Sequence, residues 1–405
     1  MADGNTTAAF VESPHFTNAY AKRFLQFERG RGCRLWDTAG RSYLDFGSGI
    51  SVNALGHGRK DLAKIASRQM RRLIHVSNLY TTRPAVELAK RLIGLGDFAA
   101  VHYGNSGSES VEGAIKFARL YGKRTANDKK IKLLCFENAF HGRTMGALSV
   151  TPTAKYQDPF GPLIPGVTVG RLNDLTSLQV LDSGEYCGVI VEPVQGEGGL
   201  ESVSEEFAKA LNESCRRNDV LLLADEVQTG LGRCGYALAS VAVGISPDIV
   251  TLSKPLAAGL PLSATLIPER VNRLISTGEH GTTFGGGPVT TAVALHVVQT
   301  LLSKKFLQSV AERAATLEAR LREMVLEMEL VQEMRGLGLL RGLVVAESHA
   351  DRVPDVISRA EDAGLLILRS GSRAIRLAPP LIISDKEISE GTRILSTIMK
   401  SVLNK

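Results

Sequence analysis

The residues with the most chemical potential in this sequence stand where apolar runs stop. Lys254 follows "DIVTLS" and precedes the small-residue stretch "PLAAGLPLSA". A lysine desolvated at a strand end loses its proton readily, which suits Schiff-base chemistry with an aldehyde. Asp225 ends "DVLLLAD", where a carboxylate can pair with a pyridinium nitrogen and keep that ring protonated as an electron sink. Gly107 and Ser108 open a helical pattern whose free N–H groups can hold a phosphate. Phe140 offers a flat ring to cover a bound one. Singly, each has a plainer reading: "NSGS" and Asp225 as helix caps, Lys254 as a solvent-facing lysine, "GTTFGGG" as a turn. Together they form the parts of a pyridoxal phosphate site.

The elements that must position them follow from periodicity. Between residues 99 and 254 the runs "AAVHYG", "KIKLLCF", "CGVIVEP", "DVLLLADE" and "DIVTLSK" alternate with amphipathic stretches. Continuous apolar strands separated by helical patterns predict a mainly parallel sheet covered on both faces, the α/β class. Ligands bind such sheets at the carboxyl ends of the strands. The polar residues after the runs, Phe140 and His141, Glu192 and Glu197, Asp225 and Gln228, and Lys254, all fall there. In "NSGSESVEGAIKFARLYGKR", Val111, Ile115, Ala118 and Tyr121 recur at helical spacing, and Ser106 with Glu109 fits a capping box. Beyond about residue 300 a helix striped by Leu307, Val310, Ala314, Leu317 and Leu321 precedes short strands, the pattern of a smaller α+β domain. "CRLWDTAGRSYLDF" predicts an early hairpin.

With 405 residues, two domains are expected at roughly 100–200 residues each. The net charge of +6 is scattered without a basic block interleaved with aromatics, which argues against nucleic acid. Five widely spaced cysteines with no CxxC pair predict neither disulfide framework nor metal site, and fit reduced thiols in the cytoplasm. "MADGNTTAAFVESPHF" lacks the apolar core of a signal peptide, and no apolar run approaches the roughly 20 residues that span a bilayer.

The sequence resembles the class III aminotransferases of the fold type I pyridoxal phosphate enzymes, most closely the acetylornithine group. The resemblance runs nearly end to end through "YGNSGSESVEGAIKFAR" (103–119), "FENAFHGRTMGALSVTPTAKYQDPFGPLIPGV" (136–167), "VIVEPVQGEGG" (189–199), "LLLADEVQTGLGRCG" (221–235) and "GTTFGGGPVTTAVA" (281–294). It implies a large cofactor-binding domain, 46–295, with a mainly parallel central sheet flanked by helices. A smaller α+β domain, 296–405, and an N-terminal segment, 1–45, packing with it complete the expected chain.

The resemblance also assigns roles. Lys254 holds the cofactor aldehyde as a Schiff base and then shuttles the proton. Asp225 binds the ring nitrogen, Gln228 lies near the ring hydroxyl, Val227 packs beneath the ring, and Gly107 and Ser108 hold the phosphate. Thr283 reaches the phosphate from the other subunit, which implies a homodimer with shared active sites. Arg376 grips the α-carboxylate of glutamate or 2-oxoglutarate, and Glu197 pairs with it when an amine without that carboxylate is bound. Arg143 holds the carboxylate of an acylated ornithine, with Thr282 nearby. His141 is read as a hydrogen-bonded neighbour, because Lys254 supplies the acid and base. "ESVEGAIK", "GRCGYALASVAVG", "HGRKDL" and "YTTRP" depart from the usual pattern and touch the access channel and subunit edges. The expected reaction moves the terminal amino group of N2-acetylornithine to 2-oxoglutarate, giving N-acetylglutamate 5-semialdehyde and glutamate. Ornithine, succinylornithine, 4-aminobutyrate or a lysine-pathway ω-amine are alternative donors. More distant alternatives are an aminomutase or decarboxylase, and a non-catalytic binding protein of the same fold.

Overall fold

The computed structural model describes residues 17–19 and 25–403. The stretch from which a leader peptide was judged absent, and much of the expected N-terminal segment, lie outside the described residues. The apolar runs become a seven-stranded sheet in the order Ala100–Gly104, Ser263–Ile267, Ile249–Leu252, Leu221–Asp225, Tyr186–Val191, Lys132–Phe136 and Val167–Gly170. Every neighbouring pair is parallel except those of Ser263–Ile267, which is antiparallel to both neighbours. Because two antiparallel steps restore direction, Ala100–Gly104 also delivers its carboxyl end to the common edge. Ser263–Ile267 is a departure from the sequence reading, which took "PLAAGLPLSA" as a return only. The return is a single tight turn, Lys254–Ala257, after which the chain reverses into the sheet.

Burial explains the unbroken apolar runs. Leu221 and Leu223 pack beneath Val111, Ile115 and Ala118 of the helix Gly107–Thr125, whereas Leu222 faces Phe207 and Leu211 of the helix Glu205–Arg217. With both faces covered, each fully buried leucine contributes roughly 1.5–3 kcal/mol. The alternation of side chains along a strand puts Asp225 on the face of Leu221 and Leu223, so it points to the space beside the first turn of Gly107–Thr125. That helix is capped as read on one side only. Ser106 Oγ accepts from Glu109 N at 3.3 Å, but the Glu109 carboxylate accepts from the backbone and side chain of Asn105 rather than from Ser106.

The C-terminal region carries an antiparallel sheet of Val331–Leu337, Leu340–Val345, Ala374–Leu377 and Leu368–Ser370. The early hairpin, Arg34–Asp37 with Ser42–Asp45, extends to Phe27–Arg31 on one side and pairs in parallel with Leu365–Leu366 on the other. The long helix Lys304–Glu327 buries Val310, Ala314, Leu317 and Leu321, while Leu307 is only half-buried. One apolar cluster contains Leu252 and Leu256, which flank Lys254, together with Leu343, Ile375 and Leu377 of the C-terminal sheet. That shared core holds the two sheets in fixed relation. All five cysteines are buried and unpaired. Among the described residues, no helix is long and apolar enough to cross a membrane.

Candidate active site

Asp225 ends its strand with both carboxylate oxygens committed. Oδ1 accepts from Val227 N at 3.0 Å and from Thr251 Oγ1 at 3.1 Å; Oδ2 lies 2.7 Å from His141 Nδ1. Thr251 is its register partner on the adjacent strand, so the sheet itself supplies one of the three contacts. A buried carboxylate with three such partners is fixed in direction and costs far less than an unpaired one.

Lys254 lies two residues beyond the neighbouring strand, deep inside the protein but with a window to solvent. Burial pushes its ammonium down to about 8; Arg376 adds to the effect, and Glu197, Glu192 and Asp225 oppose it. At neutral pH a useful fraction of the amine is therefore free of its proton, as a nucleophile requires. Glu192, just past Tyr186–Val191, accepts from Phe140 N at 2.9 Å and Gly196 N at 3.1 Å. Burial raises its carboxyl to about 7.

Arg376 reaches the site from the middle of the C-terminal sheet. Its guanidinium donates to Gly196 O at 2.7 Å, Glu197 Oε1 at 2.5 Å and Gln228 Oε1 at 3.1 Å. Burial alone would raise the Glu197 carboxyl, but the attraction of Arg376 leaves it below its ordinary value. The segment carrying Glu197 is strapped to the same sheet by Gly199 N to Ser370 Oγ, Ser370 Oγ to Gly196 O, and Gly371 N to Glu197 O, at 2.7–2.8 Å.

At the amino end of Gly107–Thr125 the backbone approaches its neighbours closely. A Cβ on Gly107 would stand 2.7 Å from Val227 Cγ1, and one on Gly142, whose φ is +136°, only 2.3 Å from Ser108 Oγ. Glycine is thus required for Val227 and the "FHGR" loop to close around this turn. Ser108 Oγ also accepts from Arg143 N at 3.2 Å, tying Arg143 to the helix end. Phe140 lies between these groups, its ring edge-on to Tyr156.

The remaining expected residues are not drawn into this cluster. Arg143 is exposed and stacks on Tyr156. Thr282 is held by its own chain, its carbonyl accepting from Asn78 Nδ2 at 2.8 Å and its hydroxyl from Asn105 Nδ2 at 3.2 Å. Thr283 is exposed beside Phe284 and, among the described residues, its side chain has no hydrogen-bond partner. Three residues that the sequence reading left without a role belong here: Thr251, Glu192 and Tyr156. Thr251 was detectable as the lone polar residue inside an apolar run and Glu192 as a strand-end carboxylate. Tyr156, thirteen positions past Arg143 in the four-residue helix Ala154–Gln157, carries no periodic signal.

A phosphorylated pyridine aldehyde suits this donor set. A partly deprotonated lysine, a rigid carboxylate and an open helix amino end lie on one sheet edge. Two buried polar atoms beside them, His141 Nε2 and Arg376 Nε, have no partner among the described residues. Such a group could be held by Lys254, Asp225, Gly107 and Ser108.

Comparison with known proteins agrees. The model of the class III aminotransferases matches residues 16–399. A mitochondrial acetylornithine aminotransferase of Neurospora crassa is 40% identical over 403 residues, covering 97% of this chain and 87% of that protein. The structure of an N-acetylornithine aminotransferase from Stenotrophomonas maltophilia superposes with a TM-score of 0.83 at 31% identity, covering 95% of this chain and 98% of the other. An ornithine aminotransferase from Toxoplasma gondii, with partial occupancy of PLP at its active site, superposes with a TM-score of 0.90 at 30% identity, covering 96% and 93%.

Proposed function

The chain belongs to the class III aminotransferase family and is a pyridoxal 5′-phosphate-dependent transaminase, and from that premise we propose that it transfers the terminal amino group of N2-acetylornithine to 2-oxoglutarate. The observation that carries the choice of donor is the identity of about 40% over nearly the full length to acetylornithine aminotransferases. An exposed arginine, Arg143, at the rim of a site whose inner arginine is already paired supports it. The products are N-acetylglutamate 5-semialdehyde and glutamate.

When bound, the cofactor supplies an aldehyde that accepts the amino group and a ring that takes up the electron pair of the broken C–H bond. Lys254 would hold the aldehyde, and its Nζ would serve as the group that takes and returns the proton of the donor carbon; its depressed pKa suits both tasks. Asp225, held by His141, Thr251 and Val227, keeps the proton on the ring nitrogen. Gly107 and Ser108 would hold the phosphate, Phe140 and Val227 would pack against the ring, and Gln228 would serve its hydroxyl. Arg376 takes the α-carboxylate of 2-oxoglutarate or glutamate, while Glu197 occupies it when the ω-amine is bound. Arg143, with Thr282 nearby, takes the donor carboxylate.

The active unit in this reading is a homodimer in which Thr283 of one subunit completes the phosphate site of the other. Its exposure fits that role, as do the exposed side chains of Ile74, Leu79, Tyr80 and Phe284. The division at residues 45 and 295 belongs to the same reading, supported by three separate sheets. A reducing compartment such as the cytoplasm suits the five free thiols.

A panel of ω-amino donors with 2-oxoglutarate tests the proposal. N2-acetylornithine should give the highest kcat/KM; a clear preference for free ornithine or 4-aminobutyrate would replace it.

A further inference from the structure

Arg143 differs from Arg376 in having aromatic support and, among the described residues, no anion. Its Cζ lies 3.6 Å from the ring centroid of Tyr156 and 5.3 Å from that of Phe140. The two rings meet edge to face, with centroids 6.3 Å apart and planes at 87°, and together form a corner around the guanidinium. Among the described residues Arg143 has no ion pair, and only its backbone N–H is hydrogen-bonded, to Ser108.

The Tyr156 platform is itself fixed. It sits in the short helix Ala154–Gln157, whose Gln157 side chain donates to Leu148 O at 3.0 Å. Phe140 is anchored through its own N–H to Glu192. A guanidinium pressed against a ring face keeps its in-plane N–H groups clear of the ring, so the fork that matches a carboxylate remains open. The side chain is also ordered before any ligand arrives, which reduces the freedom it must lose on binding.

We propose that Tyr156 is a positioning residue for donor selection: its ring holds Arg143 with the guanidinium fork open to the donor's α-carboxylate. This rests on the donor reading above and adds a residue that acts through Arg143 rather than on the reacting atoms. It also links Phe140, placed over the cofactor ring, to the recognition of the donor's far end.

N-acetylputrescine is N2-acetylornithine without its carboxylate, so the ratio of kcat/KM for the two donors isolates that one group. The ratio should be well above one in the wild-type holoenzyme. Tyr156→Leu and Tyr156→Gln, which remove the ring, should lower it about three- to tenfold, mainly through a higher KM for N2-acetylornithine. Tyr156→Phe keeps the ring face and should restore the ratio. A cofactor absorbance spectrum matching wild type checks that each variant retains its fold. A wild-type ratio near one would remove the donor reading and this inference together. A high wild-type ratio that survives both ring-removing variants, or that Tyr156→Phe lowers as far as Tyr156→Leu, would overturn the role of Tyr156 while leaving the donor reading intact.

Discussion

Arg376, on the C-terminal sheet, and Arg143, on the loop after Lys132–Phe136, carry the same guanidinium in contrasting surroundings. Arg376 is 2% exposed and engages a carboxylate, a carbonyl and a side-chain amide of its own chain through Nη1. Arg143 is open to solvent and rests on rings. The contrast follows from electrostatics. A charge taken out of water needs internal polar partners, and where one of them is a carboxylate, as for Arg376, that partner must be released before a substrate carboxylate can bind. A charge at the rim stays hydrated and can wait empty. In the proposed reaction Glu197 is the partner that Arg376 would exchange, whereas among the described residues Arg143 has none to lose.

The largest expected effect tests the interior. Lys254→Ala should reduce transamination by at least about 10³-fold, since it removes both the nucleophile and the proton carrier. Some cofactor should still be retained through the phosphate contacts, and turnover close to wild type would end the assignment of Lys254.

Arg376→Ala comes next. It should slow the 2-oxoglutarate half-reaction about 10²-fold and the amine half-reaction far less, as single-turnover kinetics can separate. Stability should fall by roughly 1–2 kcal/mol in denaturant unfolding, less than for a sealed pair because Glu197 keeps some contact with water. Equal losses in the two half-reactions would erase the distinction between the arginines.

The pH dependence of cofactor capture is a third measure. Lys254 is depressed by burial to about 8, so its neutral, reactive form predominates above that value and is lost as pH falls. Capture by the apoenzyme should level off above about pH 8 and decline about tenfold per unit below it. An ordinary lysine would instead keep gaining rate up to about pH 10. The smallest effect belongs to the exposed loop: Thr283→Ala should weaken cofactor affinity several-fold, roughly the loss of one hydrogen bond to a charged group.

Much of this was legible in the linear chain, and the failures have specific causes. Lys254 and Asp225 stood out because an apolar run makes the first charged residue after it conspicuous. Ser263–Ile267 was missed because its short run follows Gly and Pro without a polar break. Ser106 caps Gly107–Thr125 as its sequence predicts, but the reciprocal half of the capping box fails because Asn105 takes the Glu109 carboxylate. Tyr156 was invisible because its helix, Ala154–Gln157, is a single turn, too short to show a period, and the chain between it and Arg143 imposes no spacing on the residues that meet across it.

Local periodicity determined the strands and helices, their order, and the residue types waiting at each strand end, since the direction of a side chain along an element depends only on its near neighbours. The tertiary structure decided which of those groups meet. Glu197 and Arg376 are 179 positions apart, and Asp225 and His141 are 84. Their pairing exists because strand order and the shared core around Leu252, Leu256 and Leu377 bring distant segments together. The same packing left Arg143 without a charged partner among the described residues, the physical reason one guanidinium is engaged and the other open.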